Sequence, residues 1–208
     1  MKVRNVLTGA VLVAATAVIT SQVVSQDTKK PAQQPPMSAE QQAMMEKWMA
    51  FATPNEHHKL LEKKVGTWDL AVKMWMDADS PPSESKGTST SEMALDGRYL
   101  MDHANGQTEF GPFEGMGVCG YDNLKKKYVV GWIDNMGTGV MTSEGTYDPA
   151  TKTFTYVGES PDVEAGKYVK SRTTEKWLSD DKWVMESYVP GKDGKEFRCM
   201  EITYTRVK

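Results

Sequence analysis

The sequence predicts an all-β fold, an antiparallel up-and-down barrel of about ten strands preceded by N-terminal helices. Three observations predict it. The apolar pattern changes from helical to strictly alternating at Gly66. About ten strand-like runs then follow, separated by clusters of Gly, Pro, Asn and Asp. The connections are short, so neighbours pair as a meander, and a sheet of this many twisted strands tends to close and remove its exposed edges.

In chain order, Lys2 and Arg4 precede an apolar run from Val6 to Ile19, and a polar stretch begins at Thr20. This is the pattern of a signal peptide over residues 1–26. The run falls short of the roughly 20 apolar residues a membrane span needs. An uncleaved anchor is the competing reading, because no Ala-x-Ala site stands out between Ser21 and Gln26. No cysteine follows the run to accept a lipid. The expectation is therefore export, to a periplasmic or secreted location, with no stable membrane insertion after processing.

Residues 27–37 include Pro31, Pro35 and Pro36 among Gln and Lys, with nothing to bury, and read as a disordered linker. Residues 38–65 read as helical. Ser38 to Gln41 has capping-box spacing and opens a helix to about Phe51, whose stripe of Met44, Met45, Trp48 and Met49 is expected to pack. A second box, Thr53-Pro-Asn-Glu56 with Pro54 at the first helical position, opens a helix through Lys64. His57 and His58 would point about 100° apart on it, which prevents them from sharing a metal and predicts ordinary solvated residues.

Residues 66–208 form the predicted barrel. From Gly66, Trp68, Leu70, Val72, Met74 and Met76 occupy even positions while Thr67, Asp69 and Lys73 occupy odd ones, so one face is buried and one is wet. Further runs lie near 86–95, 97–105, 112–121, 127–134, 138–147, 152–158, 167–178, 182–189 and 195–206. Breakers between them include Asp96-Gly97, Asn105-Gly106, Asp148-Pro149 and Ser160-Pro161. Tyr121-Asp122 with Lys126 is echoed by Tyr147-Asp148 with Lys152, a separation of two strands and two turns, which places both turns at the same rim. The aspartates are expected to bond their own turn backbone.

Trp68 fits as a plug where a helix runs into the first strand, with Gly66 letting the chain turn inward free of a Cβ clash. This Gly-x-Trp at the head of a meander resembles the calycin superfamily, which includes the lipocalins. The resemblance implies that an arginine on the last strand packs across the tryptophan, and Arg206 is the matching residue. The strings HHKLLEKKVGTWDLAVKMWM, GYDNLKKKYVVGWIDNMGTGVMTSEGTYDPATKTF and PGKDGKEFRCMEITYTR are similar to the bacterial domain-of-unknown-function family 1579, over nearly all of residues 54 to 207. That resemblance implies a lipocalin-like barrel and carries no activity or catalytic set.

Composition narrows the function. With 208 residues, 39% hydrophobic, the chain can bury one good core. A net charge of −3 with scattered lysines gives no excess of positive charge for nucleic acid. Cys119 and Cys199 are too few for a disulfide scaffold and have no metal-ligand spacing with each other or with the three histidines. On distant strands of a meander they are expected to be free thiols. No Gly-x-Ser-x-Gly, Walker or HExxH motif is present, so neither an enzyme, a metal nor a cofactor is expected. His103 beside Asp102 is read as structural, because strand alternation sends neighbours to opposite faces.

Val169, Ser171, Thr173, Glu175 and Trp177 share one face, opposite Lys170, Arg172 and Lys176. Either the first set lines a partly polar cavity, or the wall here is wet on both sides. The candidate lining is Leu70, Val72, Met74, Ser171, Thr173 and Glu175, and the structural closure is Gly66, Trp68 and Arg206. The expected function is an exported binding protein for a small apolar or amphipathic ligand. The alternative is a ligand-free structural or protein-interaction barrel of the cell envelope, and the third reading is an enzyme with an unrecognised site.

Overall fold

The change of pattern at Gly66 is where helix gives way to sheet. The structure, a computed structural model, describes residues 37–208; the expected signal peptide, residues 1–26, and all but the last residue of the expected linker, 27–37, lie outside the described residues. Helix α1 spans Ala39–Ala52 and α2 spans Glu56–Leu61, continued by a 3₁₀ turn, Glu62–Lys64. Ten strands follow: β1 (Gly66–Met74), β2 (Ser83–Ala94), β3 (Tyr99–Thr108), β4 (Gly111–Asp122), β5 (Lys127–Asp134), β6 (Met141–Asp148), β7 (Thr153–Asp162), β8 (Lys167–Ser179), β9 (Lys182–Pro190) and β10 (Glu196–Arg206). Each pairs antiparallel with the next, and β1 pairs with β10, so the sheet is a closed barrel with no free edge.

One end carries the connections 95–98, 123–126, 149–152 and 180–181, together with the helical segment. Asn55 donates from Nδ2 to Asn123 at 2.7 Å, and Arg98 donates to the carbonyl of Ala52 at 3.0 Å. This is the closed end. The Tyr-Asp echo falls here as expected. Asp122 Oδ1 accepts from the backbone of Leu124 and Lys125, and Asp148 Oδ1 accepts from Ala150. Lys126 and Lys152 hold matching left-handed conformations, φ 57° and 54°.

Trp68 is fully buried, and the Arg206 guanidinium lies 4.1 Å from its ring centroid. Trp68 Nε1 donates to the Lys64 carbonyl at 2.8 Å, while Arg206 donates to the carbonyls of Val65 and Lys63 at 2.7 and 2.8 Å. The last carbonyls of the helical segment, otherwise unsatisfied, thus end on barrel side chains. Gly66 is required twice over: its φ is +128°, and a Cβ there would meet the Arg206 guanidinium at 2.7 Å. Two apolar clusters fill this end. Trp68, Leu70, Ala104, Trp183 and Tyr204 form one; Leu61 of α2, Leu100, Cys119, Tyr128, Phe154 and Tyr156 form the other.

Several expectations need correction. Asn55, not Thr53, caps α2, and His58 closes the box by accepting the Asn55 N–H through Nδ1 at 3.1 Å. His58 is accordingly buried, and His57 stacks on Tyr121 with centroids 4.0 Å apart, so neither is an ordinary solvated residue. The methionine stripe of α1 does not pack: Met44, Met45, Trp48 and Met49 are all exposed. The closed end is already sealed by α2, and α1 is held through its last carbonyls, Ala50 and Phe51 accepting from Asn123 and Ala52 from Arg98.

Asn105-Gly106 is not a turn, because β3 runs on to Thr108. Gly106 instead lies opposite Gly87, where a Cβ would fall 2.4 Å from the Asn105 carbonyl oxygen, so the pair marks a close crossing of β2 and β3. Pro161 is likewise inside β7, beyond Gly158 where the pairing with β6 ends. It sits opposite Tyr168 of β8 and has no partner on the β6 side, an edge position of the kind that tolerates proline.

Candidate functional site

In a closed wall every second residue faces inward, and register fixes which. Leu70 pairs with Tyr204 and with Gly87; Ser89 pairs with Ala104; Tyr156 pairs with Gly145 and Thr173; Thr173 pairs with Ser187. Following this face toward the open end, the side chains shrink. On β7 Phe154 and Tyr156 give way to Gly158; on β8 Trp177 and Glu175 give way to Thr173 and Ser171; on β4 Cys119 gives way to Gly117 and Gly115. The residues of the closed half are buried, whereas Val72, Gly87, Ser143, Gly158, Ser171, Thr173, Met185 and Ser187 are partly exposed. The inward-facing positions of the open half are thus less completely covered than those of the closed half, and we call this less covered half the cup.

The floor of the cup is polar. Lys64 reaches from the 3₁₀ turn into the barrel and donates to Glu175; their side chains are only 6% and 14% exposed. The ammonium also lies 4.9 Å from the ring centroids of both Phe154 and Trp183. Two deeply buried donors beside this pair, Tyr156 Oη and Trp183 Nε1, find no protein acceptor. Burial pushes the Cys119 thiol up to about 11, Lys64 and Glu175 contributing in opposite senses. Burial first, then the neighbouring Cys119 and Glu175, raises the Tyr156 phenol well above its ordinary value. Neither Cys119 nor Tyr156 is a nucleophile or base at neutral pH in this setting.

A second polar group sits on the wall. Asp102 Oδ1 accepts from Ser89 and Ser91 at 2.5 and 2.7 Å, and those hydroxyls are buried. Asp102 is partly exposed, and among the described residues its Oδ2 takes no protein hydrogen bond. Trp132 lies against the neighbouring glycines of β4: a Cβ on Gly115 would come within 2.4 Å of its ring, and one on Gly117 within 3.0 Å. Trp132 Nε1 donates to Asp134 at 2.9 Å near the mouth.

Of the six lining residues expected from the sequence, Val72, Ser171 and Thr173 face the cup, Thr173 bonding Ser187 at 3.0 Å. Met74 is at the rim, half exposed; Leu70 belongs to the filled half; Glu175 belongs to the floor. The inward-facing reading of Ser171, Thr173 and Glu175 is the one the structure adopts. Gly66, Trp68 and Arg206 form the closure as expected. His103 is exposed on the outer face, away from Asp102.

Sequence reasoning missed Lys64, Tyr156, Trp183 and the Asp102 cradle. Asp102 was within reach, since Leu100, Asp102 and Ala104 alternate on one face. Lys64 carried no signal, because a lysine at a helix end is ordinarily solvated. Cys119 and Cys199 are free thiols on β4 and β10, which are not neighbours. Among the described residues no three His, Cys, Asp or Glu side chains are grouped to hold a metal, and no helix is long and apolar enough to cross a membrane.

Comparison with known proteins adds the following. The family described as "Protein of unknown function (DUF1579)" matches residues 53–206. Among curated proteins none matches. A de novo designed fluorescence-activating β-barrel is similar over 69% of this chain and 93% of its own, at 18% identity and a TM-score of 0.38. A redesigned β-barrel covers 73% of this chain and 95% of its own, at 15% identity and a TM-score of 0.36. Another redesigned β-barrel, mFAP1, bound to DFHBI, covers 73% of this chain and all of its own, at 17% identity and a TM-score of 0.35. Likeness at this level carries no argument about what the chain does.

Proposed function

Because the chain belongs to the DUF1579 family, whose description assigns no activity, we propose a function from the barrel's own chemistry: an exported, non-catalytic binding protein that takes one small amphipathic molecule into the cup. One observation carries this reading. Inward-facing side chains of the open half, Ser171, Thr173 and Ser187 among them, remain partly exposed inside a closed wall. Partly buried apolar groups above the packed cluster (Val72, Met185, Ile202, Trp132) together with a few polar groups are what such a ligand needs. Export rests on the apolar run Val6 to Ile19 after Lys2 and Arg4, and N-terminal sequencing of exported protein tests it.

The cup is tested by titrating the described domain, with its leader removed, with 1-decanol while following tryptophan emission. Trp132 borders the cup, so saturable binding should shift the spectrum. Ser171→Phe, which places a ring in the hollow, should abolish the shift while leaving the urea midpoint close to wild type. A protein that takes no 1-decanol, or takes it equally well with Phe at 171, supports the ligand-free barrel instead.

A further inference from the structure

The charges inside the barrel are unbalanced, and the imbalance selects a ligand. Arg206, one inward cation of the closed end, is spent on the Trp68 ring and Asp181, and the other, Lys64, reaches the interior beneath the cup, where Glu175 already neutralises it. Two carboxylates remain above it. Asp134 sits near the mouth, tied by Trp132 Nε1 at 2.9 Å and by the Met136 N–H at 3.0 Å. Asp102 lies deeper, its Oδ1 held by Ser89 and Ser91, its Oδ2 without a protein partner and without a basic side chain at ion-pair distance among the described residues.

The setting of Asp102 is aromatic. A Cβ on Gly117 would lie 3.0 Å from the Trp132 ring and 3.6 Å from the Asp102 Cβ, so ring and carboxylate border the same space. Tyr204, stacked on Trp183 with centroids 3.5 Å apart, is influenced by both Asp102 and Glu175. The two serine hydroxyls fix the carboxylate in one orientation, which reduces the cost of ordering it around a guest. A carboxylate with an indole ring beside it suits a cationic nitrogen, which gains from the charge and from the ring quadrupole. A carboxylate guest would instead face two like charges with no free cation.

The mouth repeats the sign. Its connections carry Asp77, Asp79, Glu109, Glu164 and Asp193 against Lys192 and Lys195. The connections at the closed end carry Asp96, Asp180 and Asp181 against Arg98, Lys125, Lys126 and Lys152. A field that is negative at the mouth raises the local concentration of cations there.

We propose that the ligand of the cup is a cationic amphiphile, an amine or quaternary ammonium on an apolar body, with its nitrogen set against Asp102. This rests on the binding function proposed above, and the test separates the two. Decyltrimethylammonium, 1-decanol and decanoate, all below their micelle concentrations, are titrated into wild type and Asp102→Asn, read by tryptophan emission. In wild type the ammonium should bind about tenfold more tightly than the alcohol, and decanoate more weakly than either. Asp102→Asn should remove the advantage of the ammonium while leaving the alcohol within about twofold, which also shows that the variant is folded. Decanoate binding as tightly as the ammonium in wild type overturns the proposal even if the variant does not fold. So does an ammonium preference that survives Asp102→Asn. If 1-decanol itself does not bind, the cup reading falls and this proposal falls with it.

Discussion

The closed and open halves of the barrel share ten strands and one ladder, yet their interiors differ in kind. The closed half is packed with Trp68, Tyr128, Phe154, Tyr156, Trp183 and Tyr204 and admits almost no solvent. The open half offers Gly, Ser and Thr at corresponding inward positions of β4, β7 and β8, beside larger groups such as Trp132, Met185 and Ile202 on β5, β9 and β10, and remains partly exposed. Antiparallel pairing runs through both, interrupted in the open half by the bulge between Arg198 and Met200 and by the end of the β6–β7 pairing at Gly158, and the interiors differ through side-chain volume along each strand. Stability is concentrated where the volume is large, and the space for a guest lies where it is small.

The sharpest way to break that division is at the plug. Trp68→Ala should destabilise the domain by about 3–5 kcal/mol in urea denaturation, because a fully buried indole leaves a cavity and strands the Lys64 carbonyl. Removing one partner of the buried ion pair, Lys64→Met or Glu175→Gln, should cost a comparable amount, about 3–5 kcal/mol. Converting both partners to Met should recover most of that loss, since no lone buried charge remains.

Arg206→Ala should cost less, about 1–2 kcal/mol, for one ring contact and hydrogen bonds at a partly exposed site. The Trp68→Ala and Arg206→Ala losses should be non-additive, because each removes the same stacking contact. Additive losses measured in the double variant contradict the closure as described.

Alkaline pH should act most strongly on the closed half. The Cys119 thiol stands at about 11 against an ordinary 9.0. Tyr128, Tyr156 and Tyr204 are all raised above an ordinary 10.0, burial being the first cause of each. An acid whose folded pKa is raised stabilises the fold fully below its unfolded value and loses that contribution as pH rises through the folded one. The urea midpoint should therefore not fall on account of these groups up to about pH 9, then decline, with ionisation of these three buried phenols, isolated in the ultraviolet absorbance by difference from the Phe variant of each, arriving together with unfolding. Ionisation of Tyr128, Tyr156 or Tyr204 before unfolding, while exposed Tyr99 and Tyr168 titrate freely, contradicts the dry closed half.

The smallest effect belongs to the cup. Thr173→Ala and Ser187→Ala each remove one partly solvated hydroxyl contact and should move stability by only about 0.5 kcal/mol.

The plan of the barrel was readable because it rests on local rules. Alternation gave the strands their faces, and Asp with a left-handed Lys marked two turns of one rim. Gly66 and Trp68 were legible from the turn into the first strand, whereas Arg206 was expected only through the calycin resemblance and meets Trp68 in register on β10. The exceptions are long-range. Gly106 looked like a turn because its partner, Gly87, is distant in sequence, and the backbone approach between them appears only once β2 and β3 pair. The α1 stripe looked like core because periodicity reports a face and not its partner. On the wall, Ser171, Thr173 and Glu175 could be assigned a common face but not a depth. Depth depends on the shear of the barrel, and it separates the cup residues from the Glu175 that Lys64 claims.

The central claim is that the open half holds a guest. The most direct measurement is a native mass spectrum of the protein purified from its own host, beside Ser171→Phe prepared the same way. The account predicts a stoichiometric small-molecule adduct on the wild-type domain that is absent from the variant. A wild-type spectrum at the bare chain mass under conditions that keep 1-decanol bound, or an adduct that persists with the cup filled by Phe, contradicts it.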